Sequence, residues 1–254
     1  IDSFDATKYT LDKASLTVMD KWLLSKLNTL VKEVDDDLEN YRIPEAARAL
    51  QDFVDEMSNW YVRRNRERFW SQELTQDKIN AYLTLYTALV TVSKVAAPMI
   101  PFMCEDIYRN LVCSVDSSAP ESVHLCDFPV ADESLIDKKL EDDMEEVLQI
   151  VTLGRAARNA SNRKNRQPLQ SMSVKADHPL DEMYRDIIRE ELNIKELHFV
   201  EDTGDFVSYT FKPQLKTLGR KYGPKINEIR TALANLDGNK DKKQLDIDGA
   251  VTVS

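Results

Sequence analysis

From Asn59 to Trp70 the chain reads Asn-Trp-Tyr-Val-Arg-Arg-Asn-Arg-Glu-Arg-Phe-Trp, four arginines and two tryptophans in twelve residues. On a helix, Trp60, Arg64 and Arg68 share one face at i, i+4 and i+8, while Arg63, Arg66 and Trp70 lie on another. A planar guanidinium forks onto phosphate oxygens or stacks on a base, and an indole offers a π-face to an unstacked nucleotide. Basic and aromatic residues interleaved in this way suit single-stranded RNA loops, with Asn59 or Asn65 as hydrogen-bonding partners for base edges. A competing reading stays open at each arginine. Arg64 and Arg68 extend an apolar stripe from Met57 and Tyr61, so carboxylates inside a bundle could hold them instead.

A second cluster, Arg155-Ala-Ala-Arg158-Asn-Ala-Ser-Asn-Arg163-Lys164-Asn-Arg166-Gln-Pro168, contains five bases and no acid. Lysine and arginine that displace counterions from phosphates supply the sequence-independent part of RNA affinity. The alternative is a solvated helix end, where cations are favoured anyway. A third group runs from Lys212 to Lys225, with Lys216, Arg220 and Lys221 beside the glycines Gly219 and Gly223. It joins a strand to a helix, whose first N–H groups could receive an anion. Glycine turns are common for geometric reasons, so this group carries little by itself.

Apolar residues at helical spacing define the elements that must position these clusters. A first helix is expected over residues 17–40, through Trp22, Leu23, Leu27, Leu30 and Val34. A second begins near Ile43, with Pro44 in its first turn, and runs to about Trp70. A third spans roughly residues 77–96 and stops before Pro98, and a shorter fourth follows Pro101. Ser114–Asp132 reads as a loop. A fifth helix starts around Glu133 and passes Asn159, although Gly154 weakens its middle by about 1 kcal/mol relative to Ala. After Pro168 the pattern changes: Ser171–Ala176, Leu197–Val200 and Phe206–Phe211 read as strands, Asp181–Glu191 and Asn227–Leu236 as helices. The fold class expected is mainly α, an antiparallel helical bundle over residues 1–167 followed by a small α/β domain over 168–254.

The 254 residues carry 42% hydrophobic and 31% charged side chains with only six glycines, the profile of a globular, helix-rich protein. No apolar run approaches the roughly 18 residues needed to cross a membrane. The chain opens at Ile1 with neither an initiator Met nor a signal-peptide pattern, and is expected to be a piece of something longer. Cys104, Cys113 and Cys126 have no CxxC spacing, which disfavours a disulfide framework or zinc ribbon and suits a cytoplasmic protein. His124 beside Cys126 has no second ligand pair, so no metal is expected. The net charge of −10 argues at first against nucleic acid. The acids, however, gather in blocks, Asp35 to Glu39 and Glu141 to Glu146, apart from the bases, and binding tracks the places where positive charge clusters.

Met19-Asp-Lys-Trp-Leu-Leu-Ser-Lys26-Leu-Asn28 resembles the opening helix of the anticodon-binding domain in class I aminoacyl-tRNA synthetases for branched aliphatic amino acids. Asn59 to Arg64, followed by Arg68-Phe69-Trp70, is similar to the signature helix of the isoleucine branch. Gly154-Arg155-Ala-Ala-Arg158 to Arg166-Gln-Pro168-Leu, Leu192-Asn-Ile-Lys195, and Lys212-Pro to Leu218-Gly-Arg-Lys-Tyr222-Gly resemble the C-terminal part of that branch. The likeness covers nearly the whole chain, and the combination is more specific than any one motif.

The resemblance implies a region that reads the anticodon stem-loop of an isoleucine tRNA. Its implied contacts are Lys26, Trp60, Arg63, Arg64, Arg66, Arg68 and Trp70, then Arg155, Arg158, Arg163, Lys164 and Arg166, then Lys216, Arg220 and Lys221. ATP-dependent aminoacylation by such enzymes uses a Rossmann-type domain with signatures that this sequence lacks, so the chain alone is expected to be catalytically silent and to need no cofactor. A monomer is implied by resemblance only. The alternatives are the corresponding region of a valine enzyme, against which the Lys212–Lys225 stretch argues, and a helical protein-interaction module with Trp60 and Trp70 as a hot spot. A stand-alone enzyme has little support, because His124, His178 and His198 have no nucleophile motif beside them.

Overall fold

The computed structural model describes residues 4–175, 180–200, 209–214, 216, 218 and 222–249. They form a predominantly helical protein with one small parallel sheet towards the C-terminus. Packing divides it into two compact units, residues 1–148 and 149–254. The division falls inside a long helix, whereas the change of pattern at 167/168 marks where the strands begin.

In the first unit, Thr17 starts α1 (Val18–Glu39) with a reciprocal cap: its hydroxyl accepts the Asp20 N–H, and the Asp20 carboxylate accepts the Thr17 N–H. Trp22, Leu23, Leu27, Leu30, Val31 and Val34 of α1 are all buried, each contributing on the order of 1.5–3 kcal/mol. They pack against α2 (Ile43–Glu56) and against a long helix over Gln76–Ala96, which also carries the helix Pro101–Tyr108. Pro44 sits in the first turn of α2, where its missing N–H costs nothing. The 114–132 stretch is irregular apart from one 3-10 turn, Val123–Leu125. Glu105 pins it by accepting from the Ser122 hydroxyl and the Val123 N–H.

The second helix does not run unbroken to Trp70. After α2 the chain passes through a π-turn, Met57–Val62, then a turn at Asn65, before a short α3 (Arg66–Trp70). A π-turn inserts an extra residue into the helical spiral and rotates the residues downstream of it. Trp60 and Tyr61, adjacent in sequence and about 100° apart on a regular helix, are here both buried. The helix Gln76–Ala96 is α4 and Pro101–Tyr108 is α5. The last long helix, α6 (Lys138–Ala160), begins later than Glu133, after a separate 3-10 turn over Glu133–Leu135.

In the second unit, β1 (Leu169–Lys175) pairs in parallel with β2 (Ile194–Val200), Leu169 opposite Ile194 and Lys175 opposite Val200. Parallel strands need a crossover, supplied here by α7 (Glu182–Leu192), which buries Tyr184, Ile187, Ile188 and Leu192. Asn193 ends α7 in the left-handed region at φ 49°, a conformation Asn tolerates better than most residues. The strand expected over Phe206–Phe211 falls largely outside the described residues, and residues 209–211 are irregular. Two helices close the described chain, α8 (Ile226–Ala234) and α9 (Gly238–Asp248), the second of which the periodicity did not indicate.

Candidate nucleic-acid interface

The aromatic–basic cluster divides into the two sets that helical spacing separates. Arg63, Arg66 and Trp70 face solvent, whereas Trp60 is buried and Arg64 and Arg68 are partly buried. Trp70 is 73% exposed, and the Arg66 guanidinium lies over its ring at 5.1 Å. Arg63 lies 5.9 Å over the Trp60 ring and donates through Nε to the Asn59 carbonyl at 2.7 Å. The Arg66–Trp70 pair is a surface plate with a cation on one side of the indole. An unstacked base gains both stacking and charge attraction on such a plate.

Arg68 has a different task. Its Nη1 and Nη2 fork onto the two Asp20 carboxylate oxygens at 3.0 Å each. Nε donates to Asp77 at 2.9 Å and Nη1 to the Asn65 side-chain oxygen at 2.8 Å. Asp20 is fully buried and also accepts the Tyr61 hydroxyl at 2.6 Å. Burial by itself would raise the Asp20 carboxyl, but donors from Arg68, Tyr61 and Thr17 outweigh it and hold the carboxyl below its usual range. Tyr61 is pushed up strongly, first by burial and then by the neighbouring Asp20 charge. Arg68 is raised despite its burial by Asp20 and Asp77. The carboxylate alternative left open by the sequence is what the geometry adopts at Arg68. Asn65 is likewise engaged: buried, it donates to the Tyr61 carbonyl at 2.8 Å and accepts from Arg68. Asn59 stays exposed. Lys26 is partly buried and paired with Glu56 at 3.0 Å. Burial pushes the Glu56 carboxyl up, with Lys26 opposing and Glu145 and Asp52 adding to the rise.

In the second unit, residues 161–168 form a turn between α6 and β1 in which every residue is exposed. Arg163, Lys164 and Arg166 project from it, and none pairs with a carboxylate among the described residues. Arg155 and Arg158 behave otherwise. Arg155 pairs with Glu191 at 2.5 Å. Arg158 is only 4% exposed, and its guanidinium donates to the carbonyls of Lys164, Gln167, Leu192 and Asn193 at 2.5–3.1 Å. The last two are carbonyls at the end of α7, which have no partner within their own helix and favour a cation. Gly154, one turn earlier on α6, makes this approach possible, since a Cβ there would stand 2.4 Å from Leu192 Cδ1. In the third group, Lys216 is exposed, whereas Arg220 and Lys221 lie outside the described residues.

Two positions that organise the clusters carry no separate signal in the sequence. Asp20 closes a Thr17-x-x-Asp20 capping pattern, but its reach to Arg68, 48 residues on, is tertiary. Asn193 is an ordinary residue until its positive φ is seen. No group of histidine, cysteine, aspartate and glutamate among the described residues could hold a metal ion. None of the described helices is long and apolar enough to cross a membrane.

A helical bundle carrying an arginine–tryptophan plate, followed by a βαβ unit with an acid-free basic turn, fits a region that handles structured RNA. Residues 20–173 match the model of the anticodon-binding domain of tRNA ligase, and the chain belongs to that family. Its relatives include the isoleucine–tRNA ligase of Clostridium novyi (strain NT), 55% identical over 237 residues, which cover 93% of this chain and 23% of that protein. The isoleucine–tRNA ligase of Clostridium acetobutylicum is 51% identical over 98% of this chain and 25% of its own length. That of Thermus thermophilus is 47% identical over 85% of this chain and 21% of its own. The chain thus spans about a quarter of the length of these curated relatives.

Proposed function

We propose that this chain is the region of a cytoplasmic isoleucine–tRNA ligase that grips the anticodon stem-loop of the isoleucine tRNA and orients it for ATP-dependent aminoacylation carried out elsewhere in the protein. By itself the chain performs no reaction and needs no cofactor, and it acts as a monomer. The observation that carries the reading is the Arg66–Trp70 plate, an indole 73% exposed with a guanidinium over its face and no acid paired to that guanidinium among the described residues. An aromatic surface this large gains nothing from water, whereas an unstacked loop base gains about 1–3 kcal/mol on it. Arg63, exposed over the Trp60 ring, adds a second cation, and Arg163, Lys164 and Arg166 supply phosphate contacts. The three relatives described above are named for isoleucine, which favours that tRNA over the valine one.

The test is a titration of the chain with an isoleucine anticodon stem-loop and with the same stem-loop bearing a replaced anticodon, at two salt concentrations. Preference for the native loop, weakened by salt and reduced on the order of tenfold or more by Trp70→Ala, is expected. Equal affinity for both loops refutes anticodon reading and leaves a nonspecific RNA grip. Absence of binding at low salt refutes the RNA reading for this chain.

A further inference from the structure

Arg158 is an unusual buried arginine, because its partners are all neutral. Both hydrogens of Nη1 go to the carbonyls of Lys164 and Gln167, and both of Nη2 go to those of Leu192 and Asn193. No carboxylate pairs with it among the described residues. Its charge therefore adds to that of Arg163, Lys164 and Arg166 instead of being cancelled.

The two carbonyls between its loop acceptors are held from the other side. Asn193 Nδ2 donates to the carbonyls of Asn165 and Arg166 at 3.2 Å each. Four successive carbonyls, 164 to 167, thus accept from donors on the protein side. The Arg163 N–H donates to the Arg158 carbonyl at 2.8 Å and the Gln167 N–H to that of Lys164 at 3.0 Å, which closes the turn. A turn with its carbonyl oxygens drawn inward presents little negative dipole to an approaching phosphate. Its side chains are what remain outside.

We infer that Arg158 is a positioning residue: through its grip on four carbonyls, and together with Asn193, it fixes the 161–168 turn so that Arg163, Lys164 and Arg166 meet the phosphodiester backbone of the bound RNA. The inference rests on the RNA reading proposed above and deepens it. It corrects the simpler expectation from sequence that Arg158 itself touches phosphate, since a guanidinium with both Nη nitrogens committed to carbonyls has no fork left to offer.

The experiment compares the salt dependence of binding to the isoleucine anticodon stem-loop for the wild-type chain and four variants. These are Arg158→Met, Asn193→Gly, the triple Arg163→Ala/Lys164→Ala/Arg166→Ala, and Arg158→Met combined with the triple. Removing one cation from a phosphate lowers the slope of log K against log salt by about 0.7–0.9. The triple variant is expected to lower it by about three such steps. Arg158→Met should lower it comparably with all three loop cations intact, and the combined variant should add little to either. Asn193→Gly keeps the left-handed end of α7 and removes only the side-chain brace. It should produce a smaller fall in slope, and it decides the matter if Arg158→Met does not fold. A residue with a merely structural role would lower the melting temperature and leave the slope of the folded protein unchanged. That result in Arg158→Met, or in Asn193→Gly if Arg158→Met is unfolded, overturns the positioning role while the RNA reading stands. Absence of salt-dependent binding by the wild-type chain overturns both.

Discussion

Replacing Arg68 with methionine separates a residue that holds the fold from one that holds RNA. Met fills much of the same volume but has no donors, so Asp20 loses its two-pronged partner. Asp20 is fully buried, and removing one member of a buried pair costs about 3–5 kcal/mol because the other charge is stranded. The low end applies here. Asp20 keeps the Tyr61 hydroxyl and the Thr17 donors, and Asp77, the other acid on Arg68, is half exposed and rehydrates. Arg68→Met is therefore expected to lose about 3 kcal/mol in urea unfolding at pH 7.

The loss should depend on pH with a definite sign. In the wild type the folded Asp20 carboxyl lies below its unfolded value, so its contribution is complete above about pH 4 and fades as pH falls through the lower folded value. In the variant, burial opposed only by the Tyr61 and Thr17 donors should raise that carboxyl relative to the wild type, and its penalty is relieved by protonation. The gap between the two proteins should narrow from pH 7 to pH 4, and Asp20→Asn in the Arg68→Met background should recover part of the loss. RNA affinity of the folded variant should stay within about twofold. A loss below about 1 kcal/mol, together with a tenfold drop in RNA affinity, would refute the reasoning and return Arg68 to the binding surface.

Three further outcomes are expected from the same geometry. Arg66→Ala should weaken stem-loop binding severalfold while changing stability by less than about 0.5 kcal/mol, as exposed positions usually do, which parallel titration and urea unfolding will show. Gly154→Ala would stabilise an ordinary helix by about 1 kcal/mol, yet here it should destabilise by about 1–3 kcal/mol, because the added Cβ meets the fully buried Leu192; a rise in melting temperature would contradict it. Thr17→Ala removes the hydroxyl half of the α1 cap and a hydrogen bond to Asp20, and should cost about 1–2 kcal/mol in urea unfolding without altering RNA affinity.

Most of the helical architecture was legible because it depends on local pattern. The stripe through Trp22, Leu27, Leu30 and Val34 is α1 almost to the residue, Pro44 lies in a first turn as expected, and the helix expected after Pro101 begins at it. The break between α2 and α3 was not legible, because a π-turn is selected by tertiary packing of Trp60 and Tyr61 and leaves no composition signal. The division of the aromatic–basic cluster into two faces was legible from helical spacing, but which face is outward was not. RNA contact and an inward carboxylate partner were both open for Arg64 and Arg68, and it is Arg63, Arg66 and Trp70 that face solvent. Arg155 and Arg158 illustrate the same limit. Their types and spacing are as suited to phosphate as to the end of α7, and only the approach of Leu192 to Gly154 distinguishes the two.

The charge paradox of an acidic RNA-handling chain resolves in the same terms. With a net charge of −10, the long-range field repels phosphate. Four of the acids, however, are buried and partnered among the described residues. Glu141 accepts from Ser25, Thr29 and Lys138 and is held below its usual range by these donors against the effect of burial. Asp37 pairs with Arg42, Asp143 with Lys139, and Asp20 with Arg68. Each of these pairs is short-ranged and closes its own field. Arg66, Arg163, Lys164 and Arg166 have no such acid partner among the described residues, so at contact distance, within a Debye length of about 8 Å at physiological salt, they dominate. Encounter should therefore be slow for an RNA-binding protein, and the bound state still strongly dependent on salt. On the reading proposed above, discrimination arises after contact, at the Arg66–Trp70 plate and the 161–168 turn, and not by attraction from a distance.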